Sequence, residues 1–211
     1  MKPSSPAGSP PTPDFVPSVE EVVRFFSGAL LLMAGRTEGL KRLDLSADGF
    51  WQSFAAIFVA LPPLALSWVA SEMVTGGGAQ DETSSFVTYG AHAVADVLAW
   101  LLPVLILMMA ARPIGYSRKI VPLVVATNWG GALLAWAVVP YWLLLILFGA
   151  GEGTAFIGLL VTIATVTATM RLIYFALGKD FAAAVAITVM MIVASLMSYG
   201  AVMDVTGVRL V

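Results

Sequence analysis

Residues 86–111 read FVTYGAHAVADVLAWLLPVLILMMAA. This stretch holds one acid, Asp96, one histidine, His92, and no Lys or Arg. A helix rising 1.5 Å per residue needs about twenty apolar residues to cross the roughly 30 Å of a bilayer's hydrocarbon core. The stretch is therefore a membrane span, and it sets the scale for the rest of the chain. Four others match it, at 50–74, 120–148, 154–177 and 181–204. All five exceed the minimum length, so tilt, kinks or interfacial ends are expected. Behind Pro140 the segment 120–148 is too short for a second crossing, which makes it a single bent helix.

Composition points the same way. Of 211 residues 59% are hydrophobic and 11% charged, with a mean hydropathy of +0.91; soluble domains run at about 45–50% and about 25%. A soluble globular enzyme and a disordered chain are both excluded. The net charge of −2 gives no electrostatic case for nucleic acid. With no cysteine there are no disulfides, thiolate metal sites, iron–sulfur ligands or Cys nucleophiles. A single histidine is too few for an ordinary zinc site. The chain has no G-x-S-x-G, H-E-x-x-H, P-loop or G-x-G-x-x-G motif, and GAGEG at 149–153 has neither a preceding strand nor a Lys. No enzymatic activity, cofactor or metal is expected.

Ahead of the spans, residues 1–17 hold half of the twelve prolines and read as a disordered cytoplasmic tail. Pro and Ser fill the place where a secretory signal would have its apolar run. Residues 18–49 read as an amphipathic interfacial helix and a basic linker. Ser18 and Glu21 form a capping box, and Val19, Val22, Val23, Phe26, Leu30 and Met33 follow at helical spacing. Glu20, Glu21, Arg24 and Ser27 take the opposite face, and Arg36, Lys41 and Arg42 suit anionic headgroups.

Positive charge tests this division independently of hydropathy. Ten of the eleven basic residues fall in the segments that five spans place on one side: Lys2, Arg24, Arg36, Lys41, Arg42, Arg112, Arg118, Lys119, Arg171 and Lys179. Only Arg209 falls on the other. By the positive-inside rule the N-terminus is cytoplasmic and the C-terminus outside.

Inside the second span His92 and Asp96 stand at i and i+4 on one helix face, in reach of a mutual hydrogen bond. Asp96 lies near the bilayer midplane, where a charged Asp costs on the order of 2.5–3.5 kcal/mol. A partner, a water-filled cavity or protonation must offset that cost. The pair is either a proton or cation relay, with His92 as the outer station, or neutral interhelical glue. Asn128 is the third candidate, placed to hydrogen-bond across the bundle, with Gly130 and Gly131 allowing close helix approach. Packing is the expected use of the small and hydroxylated residues of the fourth and fifth spans, which should pair tightly through their short turn. Pro62 and Pro63 should kink the first span and free carbonyls. Most tryptophans suit an aromatic belt, Trp136 excepted, and Glu72, Asp81, Glu82, Glu152 and Asp204 read as solvated outer acids.

The layout resembles the Yip1 family: a Pro-containing cytoplasmic region, then five closely spaced spans over 50–204 ending outside, with small residues such as those of NWGG at 128–131. The resemblance carries over no functional residue. It implies an all-α membrane bundle and a non-enzymatic membrane-organising or accessory protein, acting through the bilayer, other membrane proteins or a second copy. The bacterial cytoplasmic membrane is the expected location. The alternative is a small transporter or channel component with His92 and Asp96 as its proton or cation site. A scaffold needs only a dry bundle, whereas a transporter needs a cavity that reaches Asp96.

Reporter fusions after residues 45, 80, 115, 151, 179 and 211 should alternate in, out, in, out, in, out. Two consecutive fusions on the same side would break the five-span topology.

Overall fold

The computed structural model describes residues 17–75, 82–113 and 115–210. The described residues contain no strand. Their helices are α1 (Val19–Met33), α2 (Ala47–Gln52), α3 (Ala56–Thr75), α4 (Glu82–Ala110), α5 (Ile120–Phe148), α6 (Glu152–Ala176) and α7 (Phe181–Thr206). Five stretches are long and apolar enough to cross a membrane: Ala47–Val74, Phe86–Ala110, Ser117–Phe148, Glu152–Ala176 and Phe181–Thr206. The protein is an all-helical, polytopic bundle. Its first span starts three residues before the expected position because Ser46 caps α2, accepting from the Gly49 amide at 3.0 Å. A short 3-10 turn at Ser53–Ala55 then leads into α3. Past Pro140 α5 continues as one helix. Apart from Pro17, the Pro-rich tail lies outside the described residues.

The spans sort into two groups. α5 packs on α3 and α6, whereas α7 packs chiefly on α4. The tight α6–α7 pair expected from their small residues is thus a minor contact. A physical reason lies in the threonines of α6: Thr162 and Thr165 spend their hydroxyls on carbonyls of their own helix, Gly158 and Val161, both at 2.9 Å. At the end of the bundle where α4 runs into α5 and α6 into α7, the groups are clamped through loops. Tyr116 donates to Asp180, which also accepts from the Ala183 amide at the start of α7. The Tyr116 hydroxyl holds the Asp180 carboxyl below the usual carboxylate range. Lys119 donates to the Leu177 carbonyl at 2.9 Å.

The capping box of α1 forms as the sequence requires: the Glu21 amide donates to Ser18 Oγ, and the Ser18 amide donates to Glu21 Oε2 at 2.9 Å. The face that α1 buries differs from the expected stripe. Phe25, Gly28, Ala29, Leu32 and Met33 are buried, while Val19, Val23 and Leu30 are 81%, 61% and 59% exposed. Only Met33 belongs to both sets. The helix is apolar over two adjacent faces; one seats on α5 and α6, with Phe25 against Trp129 at 4.6 Å between ring centroids. The expected basic linker also has structure. Thr37–Arg42 forms a 3-10 turn folded back on α1, where Gly39 meets Gly28 backbone to backbone. Arg42 donates to Ser27 Oγ at 2.8 Å, and Arg171 of α6 donates to the Met33 carbonyl at 2.6 Å, satisfying an end of α1.

The main core lies toward one end of the bundle, built from the end of α1, the start of α3, Val104 and Leu107 of α4, the start of α5 through Ala132, the end of α6 and the start of α7. Outer stretches of α5 and α6 leave Leu147, Phe148, Phe156 and Leu159 exposed. Pro62 and Pro63 sit inside α3. Pro63 lacks the amide that would bond the Val59 carbonyl; Trp136 Nε1 donates to that carbonyl at 2.9 Å instead. The tryptophan that did not fit an aromatic belt therefore repairs a proline break.

A Cβ at Gly39 would collide with the Gly28 carbonyl oxygen and come within 3.0 Å of the Leu32 amide nitrogen. Gly39→Val should cost about 1–3 kcal/mol through overpacking, read as a lower unfolding midpoint in mild detergent. Gly90→Ala, with nothing within 4 Å of the new Cβ, should leave the midpoint in place. Equal midpoints for both variants would refute the docked hairpin.

Candidate functional site

Four residues on two antiparallel helices make the first part of the site. On α3, Trp68 and Glu72 are one helical turn apart; on α4, so are Asp96 and His92. Because the helices run in opposite directions, the two pairs meet tier by tier. Trp68 Nε1 donates to Asp96 Oδ2 at 2.7 Å. One turn toward the C-terminal end of α3, His92 Nε2 lies 3.2 Å from Glu72 Oε1, with the Glu72 side chain 17% exposed. The indole of Trp68 stacks on the His92 ring, 19° from parallel with centroids 6.2 Å apart, so it joins the tiers. From α7, Tyr199 donates to the other Asp96 oxygen.

This arrangement corrects two expectations. His92 turns to Glu72, and the hydrogen bonds to Asp96 come from Trp68 and Tyr199. An i, i+4 spacing permits a bond along one helix, but the aromatic donors approach Asp96 from the facing helices. Glu72, read from sequence as a solvated outer acid, is instead packed with His92, which is itself 2% exposed. Asp81 and the Glu82 side chain fall outside what the structure describes.

Asn128 forms the second part. It is 2% exposed and its carboxamide bridges two other helical segments. Trp100 of α4 donates to Asn128 Oδ1 at 3.0 Å, and Asn128 Nδ2 donates to Ser53 Oγ at 2.9 Å. Ser53 passes its own proton to the Phe50 carbonyl at 2.7 Å. Both amide groups of Asn128 are thus satisfied in a setting where an unpaired polar group is costly.

Between the two parts lies a cavity of about 200 Å³. Its polar lining comes from Asp96, Trp100, Thr127, Asn128, Ser195 and Tyr199, and its apolar lining includes Leu64, Val104, Leu107 and Met191. From Asp96 to Leu107 the lining follows α4 for eleven residues, a rise of about 16 Å. Proline shapes this wall as well: Pro103 leaves the Ala99 carbonyl without its usual amide, and both residues line the cavity. The space exceeds by several-fold the roughly 30 Å³ a water occupies in the liquid, and it offers several polar partners. Among the described residues no group of three His, Cys, Asp or Glu side chains is placed to hold a metal ion.

Of the residues read from sequence, the cavity brings together Asp96 and Asn128 and leaves His92 on the outer tier behind Trp68. Trp68, Glu72, Trp100, Ser53 and Tyr199 were not singled out as site residues. A signal for two of them was present: Trp68 and Glu72 in WVASE mirror His92 and Asp96 in HAVAD, each a pair at i, i+4. Comparison with known protein families, with curated proteins and with solved structures gives no match.

Asn128→Ala should leave the Trp100 indole N–H without its acceptor and cost about 1–3 kcal/mol, read as a lower unfolding midpoint in mild detergent. Thr127→Val is the neighbouring control, since the Thr127 hydroxyl bonds its own helix at Leu123 O. Asn128→Ala unfolding no earlier than this control would remove the bridge from the account.

Proposed function

We propose that the protein is a small transporter or channel component of a membrane, non-enzymatic, in which Asp96 serves a proton or cation at mid-bilayer. One observation carries the reading: a cavity of about 200 Å³ reaches the carboxyl of Asp96. An intramembrane ionisable group that lines a cavity is costly to maintain and marks an ion or substrate pathway by default. Supporting it, Glu72 and His92 stand one turn further out, linked to Asp96 through Trp68, so protonatable groups lead from the outer end of α3 toward the site. In this reading the ten-to-one division of basic residues sets the orientation, N-terminus in the cytoplasm and C-terminus outside, in a bacterial cytoplasmic membrane.

A second proposal keeps the membrane-organising role that the Yip1 resemblance implies. In its favour, α1 presents Val19, Val23 and Leu30 outward, while the outer parts of α5 and α6 leave large apolar side chains uncovered within the chain. Such faces suit the inner interface and lateral partners, either other membrane proteins or a second copy.

The chain lacks cysteine, which allows a direct test. Cysteine placed at Asp96, and separately at Ser195 on the facing wall, should react strongly with a membrane-impermeant thiol reagent added to the full-length protein in vesicles. Ala95→Cys, at a position with no exposure, should stay unlabelled. Protection of both cavity positions to the level of Ala95→Cys would leave a dry bundle and favour the scaffold.

A further inference from the structure

We infer that the cavity binds a small organic monocation, a protonated amine, with Asp96 as its counter-ion; this rests on the cavity reading proposed above. The first observation is a carboxyl that no basic side chain of the lining faces. Among the described residues the lining contains the Asp96 carboxyl and no Lys, Arg or His. Among lining residues its hydrogen-bond partner is the Tyr199 hydroxyl, and the second donor is the Trp68 indole behind it. Both donors are neutral, so no positive charge of the protein faces Asp96 from within the cavity.

The second observation is the chemistry of the walls. Trp100 and Tyr199 supply aromatic surface, and a cation held within about 6 Å of such a ring is stabilised by its quadrupole, most strongly when desolvated. The Trp100 ring is fixed at both ends: its Nε1 is tied to Asn128, and its six-membered ring passes over Gly131, where a Cβ would stand 3.4 Å from it. A fixed aromatic wall binds with little loss of side-chain freedom.

The third observation argues against a hard divalent metal ion. A hard metal ion prefers six or more oxygen ligands and commonly several carboxylates, whereas a single carboxyl lines this cavity and Leu64, Val104, Leu107 and Met191 cover its walls. An apolar lining with one charge and a few directional polar groups is the usual character of an organic ligand site. At about 200 Å³ it is smaller than the roughly 300–1,000 Å³ of sites for drug-sized molecules, which limits the ligand to a compact amine. The bound ammonium would sit by Asp96 and its apolar body along Leu64 and Trp100.

The test uses the purified full chain in mild detergent near pH 7, with 2-phenylethylamine as probe and 2-phenylethanol as its neutral isostere. The amine should quench tryptophan fluorescence saturably and raise the unfolding midpoint, and the alcohol should bind at least tenfold more weakly. Asp96→Asn should abolish that preference while Gly90→Ala, away from the cavity, retains it, and the amine should protect Ser195→Cys from the thiol reagent. Equal binding of amine and alcohol would overturn the proposal by reducing the cavity to an apolar void. Absence of amine binding while Ser195→Cys still labels would also overturn it, yet leave the open cavity standing. If Ser195→Cys fails to label at all, the cavity reading fails first.

Discussion

Asn128 holds three helical segments at one level. Its side chain accepts from Trp100 on α4 and donates to Ser53 at the joint between α2 and α3, while its backbone belongs to α5. In hydrocarbon each of these groups costs several kcal/mol when unpaired, so the registry of α3, α4 and α5 is set by where the amide can satisfy both neighbours. The residues beside it extend the constraint. Trp129 turns to Phe25 of α1, Gly130 leaves room for Leu172 of α6, and Gly131 leaves room for the Trp100 ring. Successive helix positions point about 100° apart, so four consecutive residues of α5 address several different neighbours.

The distribution of packing follows from this junction. Around Trp129 parts of α1, α3, α5, α6 and α7, with Val104 and Leu107 of α4, close into a continuous apolar core. Toward the other end of the bundle α4 and α7 form a smaller cluster of their own around Ala91, Ala95 and Val202. Between these two clusters α4 meets α3 and α5 through side-chain hydrogen bonds from Asp96 and Trp100, and the cavity lies at that level. The polar groups at its two ends hold the walls where apolar packing does not.

The five spans were legible in the sequence because hydropathy over twenty-odd residues reports a simple quantity, transfer into hydrocarbon. The face that each span presents was not. A helix that is apolar all round carries no periodicity to show which side meets protein and which meets lipid. This is why His92 and Asp96 could be placed on one face of α4 but their partners Glu72, Trp68 and Tyr199 could not. The same limit explains α1, where the stripe of Val19, Val23 and Leu30 reads as the side toward the membrane surface and stays exposed, while no spacing announces that Phe25, Ala29 and Leu32 pack on the bundle. NWGG was read as a packing motif, which its glycines bear out, while the double bond of Asn128 depends on a joint at Ser53 that no local pattern announces.

The way α4 is attached has an energetic consequence. Three hydrogen-bonded pairs join it to α3 and α5: Trp68 with Asp96, Glu72 with His92, and Trp100 with Asn128. Interhelical hydrogen bonds in membranes contribute about 0.6 kcal/mol on average and up to about 1.7, so three of them amount to about 2–5 kcal/mol. That is the size of the gap between substates of proteins that populate two conformations. A boundary sealed by interlocking apolar side chains would lack this property, because separating it leaves voids along its whole length at 2–5 kcal/mol for each large residue uncovered. Where α4 carries His92, Asp96 and Trp100, its attachment to α3 and α5 thus rests on a few directional bonds, while Val104 and Leu107 nearer its other end, with Ala184 and Ile187 of α7, lie in the main core and tie the pair to α5.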